Sequence, residues 1–157
     1  MKLVVEYGAA RTDENVARLR RVLALRAMVA SGMTQRAIGE ALGISQPAVS
    51  QQLKSVPDLD SLHPAVLLAA AAPVLKVLAA ERGFARLAVF GSVGRGDARS
   101  DSDIDLLVQA PPGTSSLAFL RFKGLVGQVL GREVDLVDYG GLTPGLDDDI
   151  RREAVLL

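Results

Sequence analysis

Two short apolar runs, Leu87 to Phe90 and Ile104 to Val108, are joined by Gly91-Ser92-Val93-Gly94-Arg95-Gly96, a polar turn and Ser102-Asp103. This interval constrains the fold more than any other stretch of the chain. It carries Gly-x-x-Gly-x-Gly rather than Gly-x-Gly-x-x-Gly and returns to apolar sequence too soon for a crossover helix, so a dinucleotide-binding fingerprint is excluded. No Gly-Lys-Ser or Gly-Lys-Thr occurs, which excludes a Walker loop. What remains is a glycine-serine turn closing one strand and a second strand that opens on two acids. Side chains i and i+2 share a strand face, so Asp103 and Asp105 point together while Ile104, Leu106 and Val108 point the other way.

Two carboxylates about 4 Å apart repel by roughly 4 kcal/mol at an effective dielectric near 20. Val134-Asp135-Leu136-Val137 offers a third acid on another apolar strand, which raises that cost. Such a cluster calls for a proton or a cation. Hard oxygen ligands with room for water and phosphates favour magnesium or manganese. Zinc has almost nothing to bind, because the chain has no cysteine and His63 is its only histidine. The metal-ligating set read from the sequence is therefore Asp103, Asp105 and Asp135. The turn beside it suits phosphate: if Ser92 opens a short helix, free backbone N–H groups face an anion, and Gly91 lets the backbone come close. Arg95 either neutralises phosphate or clamps the loop onto the acidic turn that follows.

The pattern Gly-Ser-x-x-Arg-Gly, a polar turn, then Ser-Asp-x-Asp-Leu-x-Val resembles the minimal nucleotidyltransferases of the polymerase-beta superfamily. The resemblance runs from about Ala85 to the C-terminus and takes in Val-Asp-Leu-Val and a closing segment, residues 150–156, similar to the family's last helix. It implies that Asp103 and Asp105 bind divalent ions, that Gly91 and Ser92 hold nucleotide phosphate, and that Asp135 helps position the attacking hydroxyl. Arg95 and Ser102 also match and are assigned to the nucleotide. The implied chemistry is attack of an acceptor hydroxyl on the α-phosphate of ATP, with pyrophosphate leaving. Members of this family act as antitoxins that adenylylate a co-encoded HEPN-type toxin. The resemblance therefore implies such a toxin as partner and one of its tyrosines as acceptor. Two other readings stay open. One is a transcription regulator whose nucleotidyltransferase domain only binds nucleotide or a partner; the other is a small-molecule, antibiotic-type transferase.

A second motif lies upstream. Thr34 can cap a helix with Ile38, Ala41 and Leu42 inward, and Gly43 supplies the left-handed turn that ends it. Ile44 plugs the core, Ser45 caps a second helix with Pro47 in its first turn, and Val49 and Leu53 bury that helix. The segment resembles the helix-turn-helix of bacterial repressors, above all in Leu-Gly-Ile-Ser-Gln-Pro-Ala-Val-Ser. The resemblance implies an autoregulatory module on the protein's own operator. The residues assigned to double-stranded DNA are Arg36, Ser45, Gln46, Pro47, Ser50, Gln51 and Lys54, with glutamines suited to adenine edges in the major groove. Charge follows the same division. Residues 1–56 carry eight basic side chains against four acids, and since the whole chain is neutral the remainder is acidic by four.

The fold class expected is α/β: a small all-helical head, then a minimal polymerase-beta-like domain with a short mixed sheet. The domains are 1–56, helix-turn-helix, and 57–157, nucleotidyltransferase, with the break at Ser55-Val56-Pro57-Asp58. Expected helices span about Glu14 to Ser31, Pro64 to Arg82 (buried and kinked at Pro73), 115–130 with Leu117, Leu120, Leu125 and Val129 inward, and 146–156. Strands lie near 85–90, 103–109 and 133–138. Met1 to Ala10 reads either as a short strand or as loose chain. His63 reads as a cap or surface residue. The apolar 66–72 helix face and residues 154–157 are candidate docking surfaces. Zero cysteines and no signal-peptide pattern point to the cytoplasm, with no membrane association and a homodimer or toxin–antitoxin hetero-oligomer expected.

Overall fold

A computed structural model describes residues 1–56 and 58–157. Pro57, where the sequence places its break between modules, lies outside the described residues. Helix α1 spans Lys2–Ala30, α2 Gln35–Leu42 and α3 Gln46–Lys54. After a 3-10 turn come α4 (Pro64–Ala80), β1 (Ala85–Phe90), α5 (Gly91–Arg95), β2 (Ile104–Gln109), α6 (Ser116–Leu130), β3 (Val134–Asp138), α7 (Asp148–Glu153) and β4 (Val155–Leu156). The sheet order is β3-β2-β1-β4, with β2 and β3 parallel and the other pairs antiparallel. The expected α/β class with a small mixed sheet holds. Among the described residues no helix is long and apolar enough to cross a membrane.

The sheet has two unequal faces. Leu87, Val89, Ile104, Leu106, Val108, Val134 and Leu136 face α4, α6 and part of α1 in the main core. Ala88, Phe90 and Leu107 face a smaller cluster closed by Leu142, Val137 and Ile150. Asp105 and Asp135 alternate onto this second face, where little covers them.

Helix α1 serves two cores. Leu23 and Ala27 enter the main core, with Val16 and Leu19 packed against it. Leu25 joins Ile38 and Val49, with Met28, Ile44 and Leu53 around them, in the core of the head. Two arginines fasten the assembly. Arg26 donates to the carbonyls of Val129 (2.9 Å) and Gln128 (2.6 Å) at the end of α6, and Arg132 donates to those of Leu59, Asp60 and Leu62. A cation at a helix C-terminus meets carbonyls that have no partner within the helix.

Five expectations need correction. First, α1 runs back to Lys2, so Met1 to Ala10 is helical rather than strand or loose chain; no proline interrupts it. Second, Ala41 and Leu42 are exposed, Leu42 by 48 %. Gly39 takes the inward place beside Ile38, because α2 lies so close to the turn that a Cβ there would stand 2.7 Å from the Ile44 carbonyl. Third, Leu117 and Leu120 of α6 face solvent while Phe122, Val126, Val129 and Leu130 are buried. Phe84 sets that rotation by stacking on Phe122 at 4.1 Å and meeting Phe119 at 6.3 Å. Fourth, the closing segment is not one helix: α7 ends at Glu153, and Val155–Leu156 pair with Val89 and Ala88 at the β1 edge. A free edge attracts a β-branched segment more strongly than one further helical turn does. Fifth, α4 is buried on one side only. Leu67, Leu68, Ala71, Leu75 and Leu78 face the core, whereas Val66, Ala69, Pro73 and Val77 are exposed.

Candidate active site

Register builds the site. In the parallel β2–β3 pair Asp105 stands directly opposite Asp135, and in the antiparallel β1–β2 pair it stands opposite Phe90, the residue before the turn. Neighbouring strands lie about 4.8 Å apart, so the Asp105 and Asp135 carboxylates are side by side on one face. Asp103, exposed just ahead of β2, lies two residues back along the same strand direction.

Gly91 fits against this pair. Its φ is +65°, a conformation that costs most residues strain, and a Cβ there would collide with the Asp105 carboxylate. Gly94 is similarly confined, since a Cβ would come within 2.9 Å of the Val89 carbonyl. The expected short helix forms at the expected place: α5 begins at Gly91, includes Ser92, and ends at Gly96 with φ +81°.

The electrostatics follow from position. Asp105 is half-buried, and its carboxyl is held above the ordinary aspartate range, first by burial, then by Asp135 and Asp103; Arg95 acts in the opposite sense. Both partner acids therefore act on the same group. Asp135 is in turn approached by Lys123 from α6, at 3.9 Å. Among the described residues no three acidic or histidine side chains close into a ready-made cation cage. The donors fit a hard divalent ion nonetheless. All three are oxygens, they repel one another, and the Gly91 backbone leaves the Asp105 carboxylate uncovered by any side chain of its own.

Arg95 is engaged as a clamp. Its guanidinium donates to Asp97 (3.3 Å) and Glu153 (3.2 Å), fixing α5 against the polar turn and α7, and these acids hold it firmly protonated. Of the two roles open to Arg95 in the sequence, this structure displays the clamp. Ser102 accepts from the Arg99 backbone N–H at 2.7 Å and so shapes the turn leading to Asp103. His63 caps α4, its Nδ1 accepting from the Ala65 N–H at 3.2 Å and its Nε2 meeting the Ala98 carbonyl at 3.0 Å. With Nδ1 as acceptor, Nε2 carries the proton and donates. That bond ties α4 to the loop behind α5.

Nothing in the sequence alone singles out Lys123 or Glu153. Lys123 is a single lysine in an amphipathic helix, and only the packing of α6 beside β3 gives it meaning. Glu153 sits in a charged run where nothing local distinguishes it.

On the head, Thr34 accepts from the Ala37 N–H (3.1 Å), Gly43 adopts φ 69°, and Ser45 accepts from the Ala48 N–H (3.2 Å). Gln46, Pro47, Ser50, Gln51 and Lys54 then lie together along one shallow surface of α3. Gln46 donates to Gln35 on α2 at 2.7 Å, and Ser45 is occupied as the cap. Arg36 pairs with Glu40 along α2, at 3.3 Å and fully in solvent, apart from the α3 group.

Comparisons with known proteins bear on the catalytic half. A profile of the nucleotidyltransferase domain matches residues 74–157. The chain is 41% identical over 75 residues to a Methanocaldococcus jannaschii protein provisionally named a protein adenylyltransferase, covering 48% of this chain and 81% of that one. It is 38% identical over 73 residues to the protein adenylyltransferase MntA of Thermococcus cleftensis, covering 46% of this chain and 74% of that one. A solved structure provisionally assigned as a minimal nucleotidyltransferase superimposes with a TM-score of 0.52 at 41% identity, over 66% of this chain and 99% of that chain.

Proposed function

The chain belongs to the nucleotidyltransferase domain family and is an enzyme of that type, and on this premise we propose that it moves an adenylyl group from ATP to a hydroxyl of a partner protein. The observation that carries this reading is the direct pairing of Asp105 with Asp135 beside the Gly91 backbone. Asp103, Asp105 and Asp135 would hold magnesium or manganese, which would supply neutralisation of phosphate charge and a lowered pKa for an attacking hydroxyl. Gly91 and Ser92 bind the phosphates through backbone N–H groups and the Ser92 hydroxyl. Arg95 and Ser102 keep that turn in place. The acceptor oxygen bonds to the α-phosphorus, the bond from that phosphorus to the bridging oxygen of the β-phosphate breaks, and pyrophosphate leaves. Asp135, at the open edge of the site, receives the proton that the acceptor hydroxyl gives up.

The acceptor we favour is a tyrosine of a co-encoded HEPN-type toxin, which makes this chain an antitoxin. Two relatives named as protein adenylyltransferases support a protein acceptor. So does the exposure of Asp103 and Asp135, which leaves room for a large molecule to reach them. The helix-turn-helix, with α3 presenting Gln46, Ser50, Gln51 and Lys54, binds double-stranded DNA at the protein's own operator. Incubation with labelled ATP, magnesium and the adjacent gene's product tests the catalytic half. Label on that protein, lost with Asp103→Asn, is the expected result. Turnover of a free aminoglycoside or nucleotide, with the neighbour unlabelled, would overturn it in favour of a small-molecule acceptor.

A further inference from the structure

The first three turns of α1 stand exposed to solvent on all sides. Every residue from Met1 to Asn15 is exposed, with Leu3 at 79%, Val5 at 71% and Tyr7 at 73%. The same stretch is poor in reasons to be helical. Its start has no side-chain cap and no acid in the first turn, it contains adjacent β-branched Val4 and Val5, and it carries Gly8 in its interior. An unsupported helix of this length is marginal in water and gains its stability from packing.

Elsewhere on the molecule α1 and α4 leave an apolar groove of about 530 Å³. Ala24, Met28, Met33, Pro73 and Val77 line it together with Arg20, Arg21 and Glu81, and Glu81 is already paired with Arg82 at 3.9 Å. Among the described residues neither Arg20 nor Arg21 has an ion-pair partner, whereas Arg18 pairs with Glu14 and Arg26 is spent on α6. The charge pattern of α1 is complementary to itself. Residues 2–14 carry Glu6, Asp13 and Glu14 against Lys2 and Arg11, while residues 15–30 carry four arginines and no acid.

Total exposure points the same way. A compact monomer of 16.5 kDa exposes about 7,500 Å² by area scaling, and this chain exposes 9423 Å². The surplus exceeds the roughly 800 Å² that each partner buries in a standard interface. We propose that the groove between α1 and α4 receives the N-terminal arm of a second copy of this chain. Two α1 helices run antiparallel about a two-fold axis, so each arm lies on the other's groove and the two contacts are identical. Leu3, Val4 and Tyr7 enter the apolar lining, and the acids of the arm face Arg20 and Arg21.

The test is sedimentation of the full chain over a dilution series, with helix content followed by circular dichroism. A species of twice the single-chain mass is expected. Leu3→Glu with Tyr7→Glu on the arm, or separately Val77→Glu in the groove, should weaken it at least tenfold. All three positions are exposed, so folding does not depend on them. The absence of native cysteine gives a second readout: a Tyr7→Cys chain mixed with a Val77→Cys chain should join through a short bifunctional thiol reagent. A wild-type chain that sediments as a monomer throughout would overturn the proposal. So would a dimer that both variants leave unweakened and whose mixed cysteines do not join.

Discussion

The catalytic corner and the helical head around α2 and α3 solve opposite problems. In the head every special position is satisfied. Thr34 and Ser45 cap their helices, Gly43 takes the left-handed turn, and Val49 is fully buried. In the corner Asp105 is half-buried opposite Asp135 and two residues on from Asp103, and Gly91 is forced against it with a positive φ. The side chains that the head presents on α3 are exposed and cost the fold nothing. The corner carries its function on side chains that the fold must tolerate. Local rules are broken where chemistry is done.

Substitutions in the corner should therefore separate activity from stability. Asp105→Asn is expected to reduce nucleotidyl transfer by roughly a thousandfold or more while leaving the melting temperature equal or higher, because it removes a repelled charge. Transfer assays beside thermal unfolding measure both. A variant that lost stability along with activity would erase the distinction between the two regions.

The head should behave the other way. Gly39→Val forces a side chain against the Ile44 carbonyl and should cost about 1–3 kcal/mol, visible as loss of head helicity and DNA binding together. Denaturant unfolding followed by circular dichroism would read it. On the exposed face the effects should be functional only. Gln51→Ala is expected to relax sequence preference by about 1–3 kcal/mol, and Lys54→Ala to lower the salt slope of DNA binding by about one unit. Unchanged gel shifts in both variants would leave α3 as a plain solvated helix.

The smallest expected effect is with pH. The folded state holds the Asp105 proton more tightly than the unfolded chain does. Its contribution is thus least unfavourable in acid and becomes destabilising as pH rises through the raised folded value. The Tm advantage of Asp105→Asn over wild type should accordingly grow from acid toward neutrality and level off there. A constant offset across that range would mean that burial and the neighbouring acids do not act on this group.

What could be read from the sequence is what neighbours along the chain decide. The caps at Thr34 and Ser45, the stops at Gly43 and Gly131, the strands around Phe90 and Asp105, and the shared face of Asp103 and Asp105 all follow from a few consecutive residues. What could not be read depends on distant contacts. The rotation of α6 is set by Phe84, which lies on the other side of the site in sequence. Pairing of Val155–Leu156 depends on an unoccupied edge of β1. The sequence contains Asp105 and Asp135 but not their register, and only the parallel β2–β3 ladder makes them direct neighbours.

The double duty of α1 bears on how such a chain can be cut and recombined. A cassette lifted out at residue 56 would carry Leu23 and Ala27 away with it and open the main core along the faces of α4 and α6 that they cover. Nor could a residue be inserted freely between Leu23 and Leu25. Each added helical residue turns everything after it by about 100°, which would swing α2 and α3 round the shaft and also pull Ala27 out of the main core and Arg26 off the end of α6. Shuffling that keeps both halves working has to exchange the helix with the module it is attached to, or repaint one of its two faces.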